Sequence, residues 1–188
     1  MATPLHTNLN ALDESFIEEL RQRYAADEVE TLLPETPQDW LTEEGFWQLI
    51  ERLDWENEGD DTAVIEPLVQ ALSNMLNANI HQYEDILAEK LWLLDTLSHA
   101  EASIRDQKKD YVSVDGFLYD RCFVVANGKE FYEAVLHDPS KFPTGLSFER
   151  LLYVAHRAYK RKMGKAFVHI PRKSYETYSN EAGWEDAE

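Results

Sequence analysis

One run of apolar residues, repeated every three to four positions, constrains the fold of this chain more than any other feature. Its members are Ile80, Tyr83, Leu87, Leu91, Leu94 and Leu97. At this period, side chains line one face of an α-helix. The pattern predicts a long helix capped by Asn79, with helical character extending as far as Arg105. Such a helix must bury its apolar stripe against other elements.

Shorter stripes with the same spacing predict further helices. They lie at residues 16–24, 46–53, 68–76, 131–135 and 148–159. Segment 117–126 is largely apolar and fits either a buried strand or a buried helix, with the helix preferred. We predict a mainly α fold: a single-domain bundle of about six to seven helices, with at most a minor short strand near the C-terminus.

Capping residues predict where several helices begin. Thr42 and Ser147 are good N-caps for the segments that follow them. Proline is favoured in the first turn of a helix, so Pro67 places the start of another helix near Glu66. Residues 167–170 are expected to form a short strand or an extended cover.

Three parts of the chain are expected to differ in organisation. Pro34 and Pro37 end an N-terminal acidic extension with one helix, residues 1–38. Residues 39–170 would form the helical core. Residues 171–188 look like an extended C-terminal tail, with three aromatic side chains available as anchors: Tyr175, Tyr178 and Trp184.

Acidic residues are concentrated towards the N-terminal end. Residues 1–68 hold 18 Asp and Glu against three Lys and Arg, a local net charge of −15, whereas residues 111–170 carry a local net charge of +3. The whole chain has a formal net charge of −18. Such a surface repels phosphates and anionic lipids, so we expect neither nucleic acid nor membrane as a partner. It favours a basic protein or peptide.

Several classes of site have no signature in the sequence. The single cysteine, Cys122, lies in an apolar run, which excludes an internal disulfide and favours a buried thiol. The six histidines show no metal-binding spacing, and the acidic residues between 56 and 61 lack the calcium-binding pattern. We therefore predict no metal or cofactor and assign no catalytic residue from these motifs. Neither a signal peptide nor a membrane-length apolar stretch is evident, so the expected location is the cytoplasm.

One polar cluster stands out in apolar surroundings. Asp95 and His99 are four residues apart, and on a single helix they would be neighbours. Arg121 and Tyr119 lie in the apolar segment, where a guanidinium needs an acid, and Asp95 is the obvious candidate. Three hypotheses remain open: a buried network that fixes helix register, a ligand-binding site, or a catalytic site.

The leading functional hypothesis is a non-catalytic interaction protein with an immunity-protein, antitoxin-like or adaptor role. Its acidic part would capture a positively charged protein partner, with tryptophans as apolar anchors. The candidate contact residues are Trp40, Trp47, Trp55, Glu56, Glu58, Asp60 and Asp61. The alternative is a small-molecule anion-binding protein or enzyme that uses Asp95, His99, Tyr119 and Arg121.

A family resemblance rests on several short motifs. The most specific is Gly116–Cys122, which runs into Val124–Gly128. The other matching pieces are Phe46–Ile50, Leu94–Thr96, His99–Ala100, Phe131–Glu133, Asp138–Pro139, Leu151–Ala155, Tyr175–Thr177 and Ser179–Asn180. From about residue 41 to residue 180 the chain resembles the bacterial domain-of-unknown-function family 4240. The resemblance implies a mainly helical, cytoplasmic bacterial protein and supplies no mechanism.

Overall fold

Helices dominate the computed structural model, which describes residues 40–106 and 111–185. The chain divides into two units, residues 1–40 and 41–188, and every described helix belongs to the second. The predicted extension 1–38 lies outside the described residues. The domain boundaries drawn from the sequence stay predictions.

Within the described residues, eight α-helices make up the fold. In chain order they are α1 (Glu43–Ile50), α2 (Asp61–Ser73), α3 (Asn77–Leu93), α4 (Leu97–Ile104), α5 (Val114–Ala126), α6 (Lys129–His137), α7 (Val154–Met163) and α8 (Glu181–Trp184). Three short 3₁₀-helices lie between them, at Trp55–Asn57, Pro139–Lys141 and Glu149–Tyr153.

Side-chain caps fix where four of these helices begin. The Thr42 hydroxyl accepts the backbone N–H of the third residue of α1, as the sequence predicts. Asp60, Thr96 and Ser113 do the same for the first turns of α2, α4 and α5. At the other end of α7, Gly164 adopts the left-handed conformation (φ 65°), which glycine takes without steric penalty.

The core forms where α2 and α7 pack along each other, with α3 against both, and α5 packs against α3 and the 3₁₀-helix that precedes α7. Its largest apolar members are fully buried: Phe46, Ile65, Leu68, Leu72, Ile80, Leu87, Phe117 and Phe142. The stripe that begins at Ile80 supplies α3 with its inward face, as its period predicts. No helix in the described ranges is both long and apolar enough to cross a bilayer.

The predicted mainly α fold is confirmed. Segment 117–126, which was compatible with strand or helix, lies within α5. Residues 167–170 belong to no helix, and neither they nor any other described residues form a strand.

Three predicted helix starts are wrong. α3 begins at Asn77 rather than after a cap at Asn79, whose side-chain oxygen instead accepts the Leu41 backbone N–H. α2 begins at Asp61 rather than near Glu66, because the Asp60 carboxylate accepts the backbone N–H groups of Thr62 and Ala63 and caps the helix a turn earlier. Pro67 is accommodated inside that helix. The α-helix predicted after Ser147 is a 3₁₀-helix up to Tyr153, and α7 follows it.

Candidate functional site

Asp95 lies in a break between two helices, which corrects its predicted placement on one helix with His99. α3 ends at Leu93, and α4 begins at Leu97. Thr96 sets the break, since its hydroxyl accepts the His99 backbone N–H and caps α4. The apolar period runs through this break without interruption, so only the capping threonine marked it in the sequence.

The Arg121 guanidinium is buried in the bundle and paired with the acid expected for it. Arg121 and Asp95 are both 0% exposed, and Nη2 lies 3.9 Å from Asp95 Oδ1. Nη1 donates to the Leu91 carbonyl at 2.7 Å. Nη2 donates to the Tyr175 carbonyl and the Thr177 hydroxyl, both at 3.0 Å. The ion pair therefore joins three parts of the chain.

Asp95 is the point at which the C-terminal segment docks. Its Oδ1 accepts the Trp184 indole N–H at 3.0 Å and the Tyr178 backbone N–H at 3.2 Å. Oδ2 accepts the Asn180 backbone N–H at 3.1 Å and the Ser179 hydroxyl at 3.4 Å. Four donors from one short segment thus converge on a single buried carboxylate.

These contacts form a polar network that is buried inside the protein. Burial lowers the pKa of the Arg121 guanidinium, and the Asp95 carboxylate acts in the opposite direction. Among the described residues, Arg121 Nε has no hydrogen-bond partner. An anion would reach the guanidinium only if residues 175–184 moved away. At these buried side chains the structure therefore offers the alternative, anion-binding hypothesis no open site.

Neither His99 nor Tyr119 hydrogen-bonds to the buried ion pair in the described structure. His99 Nδ1 lies 2.7 Å from the Thr96 hydroxyl, and Nε2 lies 3.1 Å from the Val135 carbonyl. A carbonyl only accepts, so Nε2 carries the hydrogen. Burial lowers the pKa of His99 and favours this neutral ring. Tyr119 is two residues from Arg121, about 200° around the helix, and faces elsewhere.

Sequence reasoning missed the residues that complete the network, because it assigned them to an extended tail. Thr177 and Asn180 are buried, and Trp184 packs against the Phe117 ring at a centroid distance of 6.1 Å. The sequence did contain a signal for this role: residues 175–184 combine aromatic rings with hydroxyl and amide groups. Such side chains commonly satisfy buried charges.

A second carboxylate, Glu84, is buried on α3 near the same segment. Burial raises the pKa of Glu84 to about 7 from 4.5. His169 and a hydrogen bond from Tyr175 act in the opposite direction. In the folded state near neutral pH, this carboxyl therefore holds a proton for part of the time, unlike an exposed glutamate.

We expect Glu84→Gln to stabilise the protein increasingly as the pH rises. Between pH 4.5 and 7 the unfolded state has lost a proton that the folded state keeps, so the contribution of Glu84 to stability falls through this window. Glutamine does not ionise. The free energy of unfolding of the variant, relative to wild type, should therefore rise by about 3 kcal/mol from about pH 4.5 to about pH 8.

Urea denaturation across that pH range measures the Glu84 effect. Glu89→Gln is the matched control, since Glu89 is exposed on the same helix. A pH-independent difference between Glu84→Gln and wild type would show that Glu84 ionises normally in the folded state.

The candidate tryptophans differ in exposure. Trp55 is 39% exposed, and Trp40 is partly exposed. Trp47 is only 2% exposed and packs against Phe46 and Tyr132, with ring centroids 5.1 and 5.2 Å apart. Trp47 does not share the periodic apolar face predicted for α1, but Tyr132 of α6 covers the side of the helix on which it lies. A partner therefore cannot use Trp47 as a surface anchor.

The acidic candidates are exposed and close to Trp55 in the chain. They are Glu56, Glu58, Asp60 and Asp61. Together with Trp55 they form a surface that we call the acidic loop. Asp60 also has a structural role as the cap of α2.

Two further expectations concern reactive groups. Cys122 is fully buried, as predicted, and burial raises the pKa of its thiol. Such a thiol is a poor nucleophile. Within the described ranges, no group of three or more His, Cys, Asp or Glu side chains is placed to hold a metal ion.

Comparison with known proteins identifies one family. The model of a family described as proteins of unknown function, DUF4240, matches residues 41–161. The match starts at the first residue of the second unit and ends before the segment that docks on Asp95. No curated protein matches the chain, and no solved structure matches it. Since the match covers more than half of the sequence, the chain belongs to the DUF4240 family.

Proposed function

We propose that this protein is a non-catalytic acidic interaction protein that binds a positively charged protein partner through the acidic loop. An immunity-protein, antitoxin-like or adaptor role in the cytoplasm fits this activity. The observation that carries the proposal is an exposed tryptophan, Trp55, among carboxylates that have no cationic partner within the described residues.

Trp55 has the properties of an interface anchor. Its ring packs against Phe148 at a centroid distance of 5.1 Å and lies 6.5 Å from Phe123. These contacts hold the ring in place while 39% of the residue stays exposed. A large side chain that is already positioned loses little conformational freedom on binding, and tryptophan is enriched among residues that dominate binding energy.

In the part of the chain that the structure describes, some acids elsewhere on the surface are paired with the protein's own cations, whereas those of the acidic loop are not. Glu43, Glu44 and Glu66 form ion pairs with cations of α3, α6 and α7, at 2.8, 3.4 and 2.7 Å. Among the described residues, no Lys or Arg lies within ion-pair distance of Glu56 or Glu58. Their negative potential is available to an approaching basic surface, which raises the association rate at low salt.

The test is the capture of partners from a lysate of the protein's own cell. Two double variants of the protein, each lacking two negative charges, are compared with the wild type as baits. We expect Glu56→Gln/Glu58→Gln to reduce the captured basic protein about tenfold, as removal of charges facing a partner does. Trp55→Ala should reduce capture by a similar factor. Glu89→Gln/Glu101→Gln removes the same charge from exposed positions outside the acidic loop and should leave capture unchanged.

Salt gives the second readout. Capture by the wild-type bait should weaken as ionic strength rises, because salt screens exposed charges. Equal losses in the two double variants, or capture that ignores salt, would refute recognition by the acidic loop. Unchanged melting temperatures of the variants would show that these exposed substitutions act on binding alone.

A further inference from the structure

A second surface, opposite in charge to the acidic loop, lies after α7. Residues 166–171 form neither helix nor strand and lie against α3, and we call them the extended segment. Their exposure alternates: Val168 and Ile170 are 83% and 89% exposed, whereas Phe167 and His169 are partly buried. This two-residue period is that of a β-strand with one face on the protein and the other bare.

The inner face of the extended segment is fixed to the helices. The Phe167 ring lies 5.0 Å from the His81 ring and 5.3 Å from the Tyr159 ring, measured between centroids. His169 Nε2 lies 2.9 Å from Asp85 Oδ1. These contacts hold the segment in place before any partner arrives, which reduces the entropy lost on binding.

The backbone of the extended segment has unused hydrogen-bonding capacity. Within the described part of the chain, no residue bonds to a backbone N–H or C=O group of residues 166–170. Unpaired groups in an extended conformation are a template onto which another strand can add. Pro171 limits the template at its C-terminal end, since proline has no N–H.

The charge around the segment defines what would add to it. Residues 157–175 contain seven of the 18 Lys and Arg of the chain and no Asp or Glu. Lys162, Lys165 and Arg172 flank the segment and are exposed. The nearest acid beneath it, Asp85, is already engaged by His169 and by the Arg172 backbone N–H. The exposed surroundings are thus cationic and favour an anionic partner.

Two other occupants fit less well. Antiparallel pairing with the same segment of a second copy would bring two cationic surfaces together, and like charges repel. An anionic bilayer would leave the backbone groups of the segment without hydrogen-bond partners, and the net charge of −18 opposes its approach.

We propose that the extended segment binds an acidic, extended peptide of a partner protein by β-strand addition. Backbone hydrogen bonds to residues 166–170 supply the pairing. Aliphatic side chains of the peptide contact Val168 and Ile170, and its carboxylates meet Lys165 and Arg172. This site is separate from the acidic loop, so loss of binding at one leaves the other intact.

The experiment measures fluorescence polarisation of a labelled peptide of alternating valine and glutamate, titrated with the full-length protein. Ile170→Glu and Lys165→Glu should each weaken binding about tenfold, through the lost apolar contact and the reversed charge. Leu146→Glu is the matched control, because Leu146 is 47% exposed in a different loop. Should Ile170→Glu fail to fold, Lys165→Glu carries the test.

Variants of the peptide separate strand addition from other binding. Methylation of alternate peptide amides should abolish binding, because it removes the donors that pair with residues 166–170. No saturable binding of the valine–glutamate peptide, or equal binding of the methylated peptide or of a valine–lysine peptide, would overturn the proposal. Phosphatidylserine vesicles or a second copy of the chain bound in place of the peptide, and lost in Ile170→Glu, would also overturn it.

Discussion

Asp95→Ala should lower the free energy of unfolding by about 3–5 kcal/mol, the range observed when one partner of a buried ion pair is removed. The substitution leaves the Arg121 guanidinium at 0% exposure without its acid. It also leaves four donors of the C-terminal segment without their acceptor, including the Trp184 indole N–H. Buried groups without partners carry a desolvation penalty, and this makes the loss larger than that of one hydrogen bond.

Urea denaturation measures the overall effect of Asp95→Ala, and hydrogen exchange locates it. The backbone N–H groups of Tyr178 and Asn180 should lose protection, because both bond to Asp95. Glu89→Gln, which removes an exposed acid, should change stability by less than about 0.5 kcal/mol. If Asp95→Ala destabilised the protein no more than this control, the network would not be the structural centre that its geometry indicates.

A chain that ends at Lys173 should be less stable than the full chain by about 4 kcal/mol. The truncation removes the four donors to Asp95 and two acceptors of Arg121, from Tyr175 and Thr177. Each broken hydrogen bond to a charged group contributes about 1.5–3 kcal/mol, and the conformational freedom regained by the removed segment offsets part of the sum.

The control for this truncation is a chain that ends at Glu185, which keeps all six of these contacts and should melt like the full chain. Thermal melting monitored by far-ultraviolet circular dichroism compares the three chains. A chain ending at Lys173 with an unchanged melting temperature would mean that residues 174–185 behave as the tail expected from the sequence.

Local patterns predicted the helices well, because the period of apolar residues and the chemistry of a cap act within a few positions. The stripe from Ile80 became the inward face of α3, and Thr42 caps α1. The helix boundaries that were missed also depend on caps. Asp60 and Thr96 cap helices within stretches where apolar periodicity or a proline pointed elsewhere.

The buried ion pair was predicted from the sequence, but the residues around it were not. That Arg121 needs an acid, and that Asp95 supplies it, followed from the cost of a bare guanidinium among apolar residues. Its other partners did not follow. Tyr175 and Thr177 are 54 and 56 residues away in the chain, so their approach depends on how the whole bundle closes.

Composition and spacing by themselves determined a helical chain with a strongly negative first third and a buried arginine that requires a carboxylate. Only the tertiary structure decided which acids are neutralised, which tryptophan stays exposed, and that residues 175–184 cover the ion pair. The reason is physical: helix formation depends on neighbours three and four residues apart, whereas exposure and ion pairing depend on residues that are brought together from distant parts of the chain.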